Sequence, residues 1–292
     1  MIDLHLHTTA SDGRLSPAAL VALAARTGLR VVSVTDHDTV AGLAEARTAA
    51  GAHGVRLVDG IEMTAVDAGR DVHVLGYFFD PEDTDLARFL QGQRVARIDR
   101  VREIAQRLHG LHLDIDVGAL LDATPATSGR SVGRPLVADA LVSAGHAADR
   151  RDAFDRLLGT NCPAFVPRCG PDVSAVVAAI ANAGGVASLA HPGLLGTDDR
   201  IPAYAASGLA AIEARHRDHT PADEERYRHL ARALGLAVSG GSDFHGEHES
   251  RDGSVSAPGS VRLGPEDFAV LEARRPPHAR SAATTEKVNP TA

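Results

Sequence analysis

The sequence predicts an α/β protein: a sheet or barrel of mostly parallel strands, interrupted by a helical segment. Three observations point there. Short apolar runs alternate with helical patterns over the first 80 residues and again from Pro171, which is the rhythm of β-α units. Between about residues 81 and 167 charged helical periodicity takes over and strand-like runs are missing. Each apolar run is also associated with His, Asp or Glu, as in folds that assemble their sites at the carboxyl ends of strands.

Residues 2–7 read as a strand ending in polar residues. Ser16 as N-cap and Pro17 at the first helical position open a helix that Gly28 stops. Val31-Val32-Ser33-Val34-Thr35 is a β-branched run and therefore a buried strand. A helix over about 39–52 follows, then strands near 55–63 and 71–79. The segment 81–167 carries helices over 86–108, 132–144 and 151–158, with a Ser/Thr/Gly/Pro loop at 124–133. It reads as a substrate-covering helical insertion into a barrel made of 1–80 and 168–275. Alternation resumes with a helix at 172–182, strands at 185–190 and 209–214, a helix at 222–234 and a last short strand at 237–240. The excursion at 247–264 reads as unstructured, and the polar tail at 276–292 as disordered.

Bulk properties exclude several classes. With 292 residues, 44% of them hydrophobic, the chain can bury a substantial core. A net charge of −8 argues against coating long duplex DNA. Aromatics make up 3% and Trp is absent, so a single-strand stacking platform is not expected. Cys162 and Cys169 match no common zinc spacing and read as two reduced thiols. No apolar run reaches the roughly 18 residues of a membrane span, and Met1-Ile2-Asp3-Leu4-His5 lacks the features of a signal peptide. A cytoplasmic protein is expected.

The chemistry lies in the 15 histidines. His5 and His7 are two apart in a strand and so project from one face, a natural half-site for a metal. Asp12 follows in a turn that can fold back. Asp36-His37-Asp38 sits where the second strand ends, Glu62 at the end of the third, and His73 within the fourth. His191, Glu213 and Asp243-Phe244-His245 follow the later strands. Singly, each has an ordinary explanation: His37 or His73 as a hydrogen-bonded core residue, Asp36 and Asp38 as helix caps. A carboxylate closing an apolar strand, as Glu62 does, would be costly to bury without a cation. Together the seven groups point to a metal cluster. His53, His109, His112, His146, His229, His248 and His278 lie on helices, loops or the tail and read as surface residues.

In this order the strings resemble the PHP family, named for polymerase and histidinol phosphatase domains. His5-Leu6-His7 resembles its first motif, Thr35-Asp36-His37 the second, His191-Pro192 the third and Asp243-Phe244-His245 the fourth. The match runs from residue 2 to about 246 and implies a distorted (β/α)7 barrel. It also implies a metal-dependent phosphoesterase with two or three divalent ions (Mn, Fe or Zn). By resemblance His5, His7, Glu62 and Asp243 hold one ion, Glu62 bridges to a second held by His73 and His191, and Asp12, His37 and His245 hold a third. Such ions lower the pKa of water and neutralise phosphoryl charge.

Within the family, Gly133-Arg134-Pro135, residues 154–159 and Asp218-His219-Thr220-Pro221 resemble the phosphoesterases acting on nucleoside 3′,5′-bisphosphates and short 5′-phosphorylated RNA. A small phosphorylated substrate, a nucleotide or short RNA, is the implied partner. Arg134, His219 and Asp243 are then the expected catalytic residues, with Arg134 gripping a phosphate bidentately. Arg168 and His216 join Arg134 and His219 in binding substrate. His219 is expected to protonate the leaving oxygen, His216 competing for that role, and Glu213 to support the cluster. The family usually has a His two residues after that Arg, and here Leu136 stands there. Arg94, Arg97, Arg100, Arg102 and Arg107, interleaved with Asp99 and Glu103, read as a solvated helix face. Histidinol phosphate hydrolysis, cyclic phosphodiesterase activity and a non-catalytic PHP module are the alternatives. An amidohydrolase would want a bridging Lys, and the only Lys is Lys287.

Overall fold

The computed structural model describes residues 1–122, 129–196, 198–246 and 257–276. Residues 124–128, 247–256 and 277–292, with His248 and His278, lie outside the described residues, so the expectations placed on them are not addressed. The seven strands are β1 (Ile2–Asp3), β2 (Val31–Val34), β3 (Arg56–Asp67), β4 (Arg70–Tyr77), β5 (Val186–Leu189), β6 (Ala211–Arg215) and β7 (Ala237–Gly240). They form one sheet in sequential order. Leu4 N–H donates to Gly240 O (3.2 Å) and His7 N–H to Phe244 O (2.9 Å), so the sheet curls until its two edges meet. This is the nearly closed, distorted (β/α)7 barrel that the resemblance implied.

Local chemistry sets the helices on its outside. Helix α1 (Pro17–Arg26) starts where Ser16 Oγ accepts from Ala19 N and ends before Gly28 at φ +81°. Helix α2 (Leu43–His53) starts later than expected, behind Gly42 and without a side-chain cap. Asp36 and Asp38, read as possible caps, are turned to other work described below.

The pairing departs from the all-parallel pattern at one place. Pairs β1–β2, β2–β3, β5–β6 and β6–β7 are parallel, but β4 runs antiparallel to both β3 and β5. Ala68 (φ 48°) and Gly69 (φ 75°) form a two-residue turn with positive φ at both positions, the geometry that matches strand twist in a tight hairpin. Because β4 is reversed, its early residue His73 reaches the same rim as the ends of the other strands. Glu62 likewise lies mid-way along a twelve-residue β3, whose distal half rises above the rim.

Between β4 and α7 (Val173–Asn182) the chain is helical: α3 (Thr84–Gly110), α4 (Val117–Asp122), α5 (Arg134–Ser143) and α6 (Arg150–Ala153), the last running on into a wide turn at Phe154–Leu158. These elements bury an apolar cluster of their own, centred on Val101, Ile104, Leu108, Val137 and Leu141, separate from the barrel core. The later elements are α8 (Ile201–Ala206), α9 (Pro221–Ala233) and α10 (Pro265–Glu272). Helix α9 begins with a full capping box between Thr220 and Asp223. Among the described residues no helix is long and apolar enough to cross a membrane, and Cys162 and Cys169 are free thiols.

Candidate metal centre and phosphate cavity

The rim gathers all nine expected ligands. His5 and His7 project together from the segment after β1, ring centroids 5.1 Å apart. Asp12 is brought back to them by a pinned loop: Asp36 accepts from Thr8 N (2.7 Å), Thr8 Oγ1 (2.6 Å) and Ser11 Oγ (2.7 Å). The loop folds so tightly that a Cβ on Gly13 would stand 2.4 Å from His7 O. On the other side Asp3 accepts from Ser242 N (2.9 Å), Ser242 Oγ (2.6 Å) and Gly259 N (2.7 Å), fixing the turn that carries Asp243. His191 (φ 27°) and Asp243 (φ 50°) hold left-handed backbone, which a non-glycine residue keeps only where its surroundings enforce it.

Glu62 is the hub. Its Oε2 lies 3.3 Å from His5 Nε2, 3.2 Å from His7 Nε2 and 3.2 Å from His37 Nδ1. Its Oε1 lies 2.8 Å from His73 Nδ1 and 3.0 Å from His191 Nε2. Asp243 Oδ1 stands 3.3 Å from His5 Nε2 and 3.1 Å from His7 Nε2. Asp12 lies 3.3 Å from His245 Nε2, 3.7 Å from His37 Nε2 and 3.8 Å from His7 Nδ1.

These donors suit cations better than each other. His7 Nδ1 and Nε2, His37 Nδ1, His73 Nδ1 and Asp243 Oδ1 are buried and make no hydrogen bond, despite the short separations. Ligands about 2.1 Å from a tetrahedral centre stand about 3.4 Å from one another. The set His5, His7, Glu62 and Asp243, with its 3.1–3.3 Å spacings, has that size. A second converging set is His37, Glu62 and His73, and a third is His7, Asp12, His37 and His245. The residues present therefore fit divalent ions, with imidazole and carboxylate donors and no thiolate. Protonation tells the same story. Burial works against the charged form, yet the Asp243 and Glu62 carboxylates push His7 up to about 10. Burial drives His37 down to about 3. Glu62 is held well below its usual range by His37, His73 and His5, which outweigh its burial. A divalent ion held by these donors would supply the neutralising charge that the His7 proton supplies here.

Glu213 supports the cluster from behind. Its Oε1 lies 2.9 Å from His5 Nδ1 and its Oε2 accepts from His191 N (2.8 Å), which leaves His5 Nε2 to face the donors. His216 stands beside it. Asp218 N–H donates to His216 Nδ1 (3.2 Å), so Nε2 carries the proton and points at Asp243 Oδ2 (3.3 Å). His216 is buried behind the cup. His219 is held by main chain. Its Nε2 accepts from Gly193 N (3.1 Å) and its Nδ1 donates to Ala214 O (3.0 Å). Both nitrogens are committed to main chain, so His219 braces the turn after His191 and has no proton directed at a leaving group. Gly193 is needed there because a Cβ would meet that ring at 2.7 Å.

In front of the cup lies a cavity of about 120 Å³. Asp12, His37 and His73 form one side, and Arg97, Arg100, Arg134 and Arg168 come from the other. Arg97 Nε (2.6 Å) and Arg168 Nη2 (2.8 Å) share Asp38 Oδ2, while Thr64 N donates to Asp38 Oδ1 (2.8 Å). Asp38 thus anchors two arginines rather than capping a helix. Burial raises its pKa, but Arg97 and Arg168 prevail and hold it well below the carboxylate range. Arg134 is held differently. Its guanidinium sits 5.7 Å from the centroids of both Phe154 and Phe165, with only 3.4 Å contacts to Leu158 O and Asp71 Oδ2. Four guanidiniums against two carboxylates, Asp38 and Asp71, leave an excess of positive charge. Arg97 and Arg100 were read as part of a solvated face, and both are corrected: Arg97 is buried, and Arg100 Nε donates to Val166 O (2.9 Å). Leu136 packs against the helical cluster.

Comparison with known proteins agrees with this geometry. The PHP domain model matches residues 3–118. A 5′-3′ exoribonuclease of Haemophilus influenzae is 34% identical over 248 residues, 83% of this chain and 89% of that protein. The chain is a member of the PHP family. A 3′,5′-nucleoside bisphosphate phosphatase of Chromobacterium violaceum is 31% identical over 255 residues, 85% of this chain and 88% of its own length. A solved structure from Bifidobacterium adolescentis, described as a metal-dependent phosphoesterase, superposes with a TM-score of 0.85 at 33% identity, over 94% of this chain and 96% of that one. As a PHP protein with its donor cluster assembled, the chain is a metal-dependent phosphoesterase.

Proposed function

We propose that the chain hydrolyses a phosphate monoester on a nucleotide, the 3′-phosphate of a nucleoside 3′,5′-bisphosphate or the end of a short 5′-phosphorylated oligoribonucleotide. The observation that carries this is the cavity itself: metal donors on one side, a surplus of guanidinium on the other, and room for one phosphate between them. The two relatives named above are, by their descriptions, a 5′-3′ exoribonuclease and a 3′,5′-nucleoside bisphosphate phosphatase. His5, His7, Glu62 and Asp243 would hold one ion, Glu62 would be shared with a second at His73 and His191, and Asp12, His37 and His245 would hold a third; the ions are Mn²⁺, Fe²⁺ or Zn²⁺, two or three in number. When bound they supply Lewis acidity and a water of lowered pKa. Arg134 clamps a phosphate oxygen pair, its planar fork pre-set by the two phenyl rings. Arg168, held at one nitrogen by Asp38, directs its remaining donors at the same anion. The helical segment 81–167 acts as the cover that brings Arg134 to the barrel, and Arg168 follows where that segment rejoins it.

Phosphate release from adenosine 3′,5′-bisphosphate and histidinol phosphate, and nucleoside monophosphate release from a 5′-phosphorylated RNA oligomer, each with Mn²⁺ supplied, test the reading. Turnover of the bisphosphate or the RNA is expected. Release from histidinol phosphate alone would overturn the nucleotide assignment and keep the phosphatase.

A further inference from the structure

The cavity is too small for a nucleotide. Small-molecule pockets run to about 300–1,000 Å³, and 120 Å³ holds a phosphate and little more. Beside it opens a groove of about 740 Å³ that shares Asp71, Arg100 and Arg134 with the cavity. The protruding tip of the β3–β4 hairpin, the turn after β5 and the strand-like segment that ends the helical region wall it. Arg70 Nη1 donates to Leu195 O (3.3 Å), and Asp67 takes an ion pair from Arg200, so tip and turn are tied together. Its largest apolar, reachable side chains include Phe165, partly exposed, and Leu194, which at 57% is the most exposed large hydrophobic side chain among the described residues. Four arginines face three aspartates along the lining. That near-balance is poor for a chain of phosphates, which calls for uncompensated cations. It suits a neutral group joined to the phosphate next door.

Resting on the nucleotide reading above, we infer that this groove is the nucleoside subsite, and that Phe165 and Leu194 hold the base. Phe165 comes from the helical segment and Leu194 from the barrel, so the base is gripped between the two halves of the molecule. Stacking on a phenyl ring accepts every base, because each has a π-face. Purines and pyrimidines are therefore taken alike, and Phe165 couples base binding to Arg134, whose guanidinium already rests on it.

Calorimetric binding to the metal-free protein tests this, using adenosine monophosphate and ribose 5-phosphate, which differ only by the base. The wild type is expected to prefer the nucleotide about tenfold. Phe165→Ala and Leu194→Ser should each bring the preference toward unity. Leu194 has no contact with Arg134 among those found, so its variant separates base binding from disturbance of the clamp. Equal affinities in the wild type, or a preference untouched in both variants, would overturn the subsite. A retained preference with no nucleotide turnover would instead count against the proposed reaction alone.

Discussion

The barrel rim and the helical roof face one cavity and solve opposite electrostatic problems. At the rim, the carboxylates Asp12, Glu62 and Asp243 lie among histidines, of which His7 at both ring nitrogens and His37 and His73 at Nδ1 make no hydrogen bond. At the roof, four guanidiniums share two carboxylates, and burial together with neighbouring like charge lowers the pKa of Arg168. The rim asks for cations and the roof for an anion. On the proposed reading, a phosphate lying between bound ions on one side and the guanidiniums on the other would satisfy both. The difference teaches that metal binding and phosphate binding should be separable by mutation.

The largest expected effect breaks the rim. Asp243→Asn removes a donor shared by His5 and His7, and metal catalysis is worth several kcal/mol of transition-state charge. Loss of kcat by about 10³-fold or more is expected, with fewer Mn²⁺ bound per chain by elemental analysis. Full metal content in an inactive variant would show that Asp243 acts otherwise than as a ligand. Arg134→Ala should break the roof alone. Removing one pre-positioned donor costs about 10²–10³-fold, here read in kcat/KM, with metal content unchanged. Loss of metal in that variant would erase the distinction between the two regions.

The rim was readable in the sequence because most strands place their donors just past a fixed end, so His5, His7, His37 and Asp243 announce themselves by position. Two things were hidden. The reversal of β4 rests on an Ala68-Gly69 turn, where Ala gives none of the Asn-Gly or Asp-Gly signal of a tight hairpin. Half of the roof, Arg97 and Arg100, lies on α3, whose buried residues are 86, 90, 93, 97, 101, 104 and 108. Gln93 and Arg97 occupy that 3–4 spacing, so the apolar stripe passes through two polar residues. Composition makes Arg97 look like its neighbours, and only the stripe sets it apart. Nor does sequence show that His216 and His219 turn their nitrogens to Asp243, Asp218 and main chain.

Asp38→Asn probes the joint between the regions. Uncoupling a buried ion pair by removing one partner costs about 3–5 kcal/mol, or roughly 10 °C in melting temperature for a chain of this size. The pH dependence has a definite sign. The folded pKa of Asp38 lies below its ordinary value of 3.8. Its contribution is therefore fully present above that value and is lost as pH falls through the folded pKa. The stability gap between wild type and Asp38→Asn should be constant near neutrality and close in acid. A gap that widens in acid would mean that Asp38 is not the charged anchor of Arg97 and Arg168.

The smallest effect is the sharpest control on the roof. Arg102 stands five residues beyond Arg97 on the same helix, exposed and paired only with Asp99 (3.0 Å). Such exposed pairs contribute about 0.2–1 kcal/mol, and removing a lone surface side chain shifts stability by about 0.5 kcal/mol at most. Arg102→Ala should therefore leave melting temperature, metal content and kcat/KM close to wild type. Arg97→Ala should lose stability as Asp38→Asn does, since it leaves half of that carboxylate's compensation gone. If the two variants behaved alike, the distinction between a solvated face and a buried phosphate-facing stripe on α3 would fail. The excess positive charge would then belong to the helix as a whole rather than to the four arginines turned toward the metal cup.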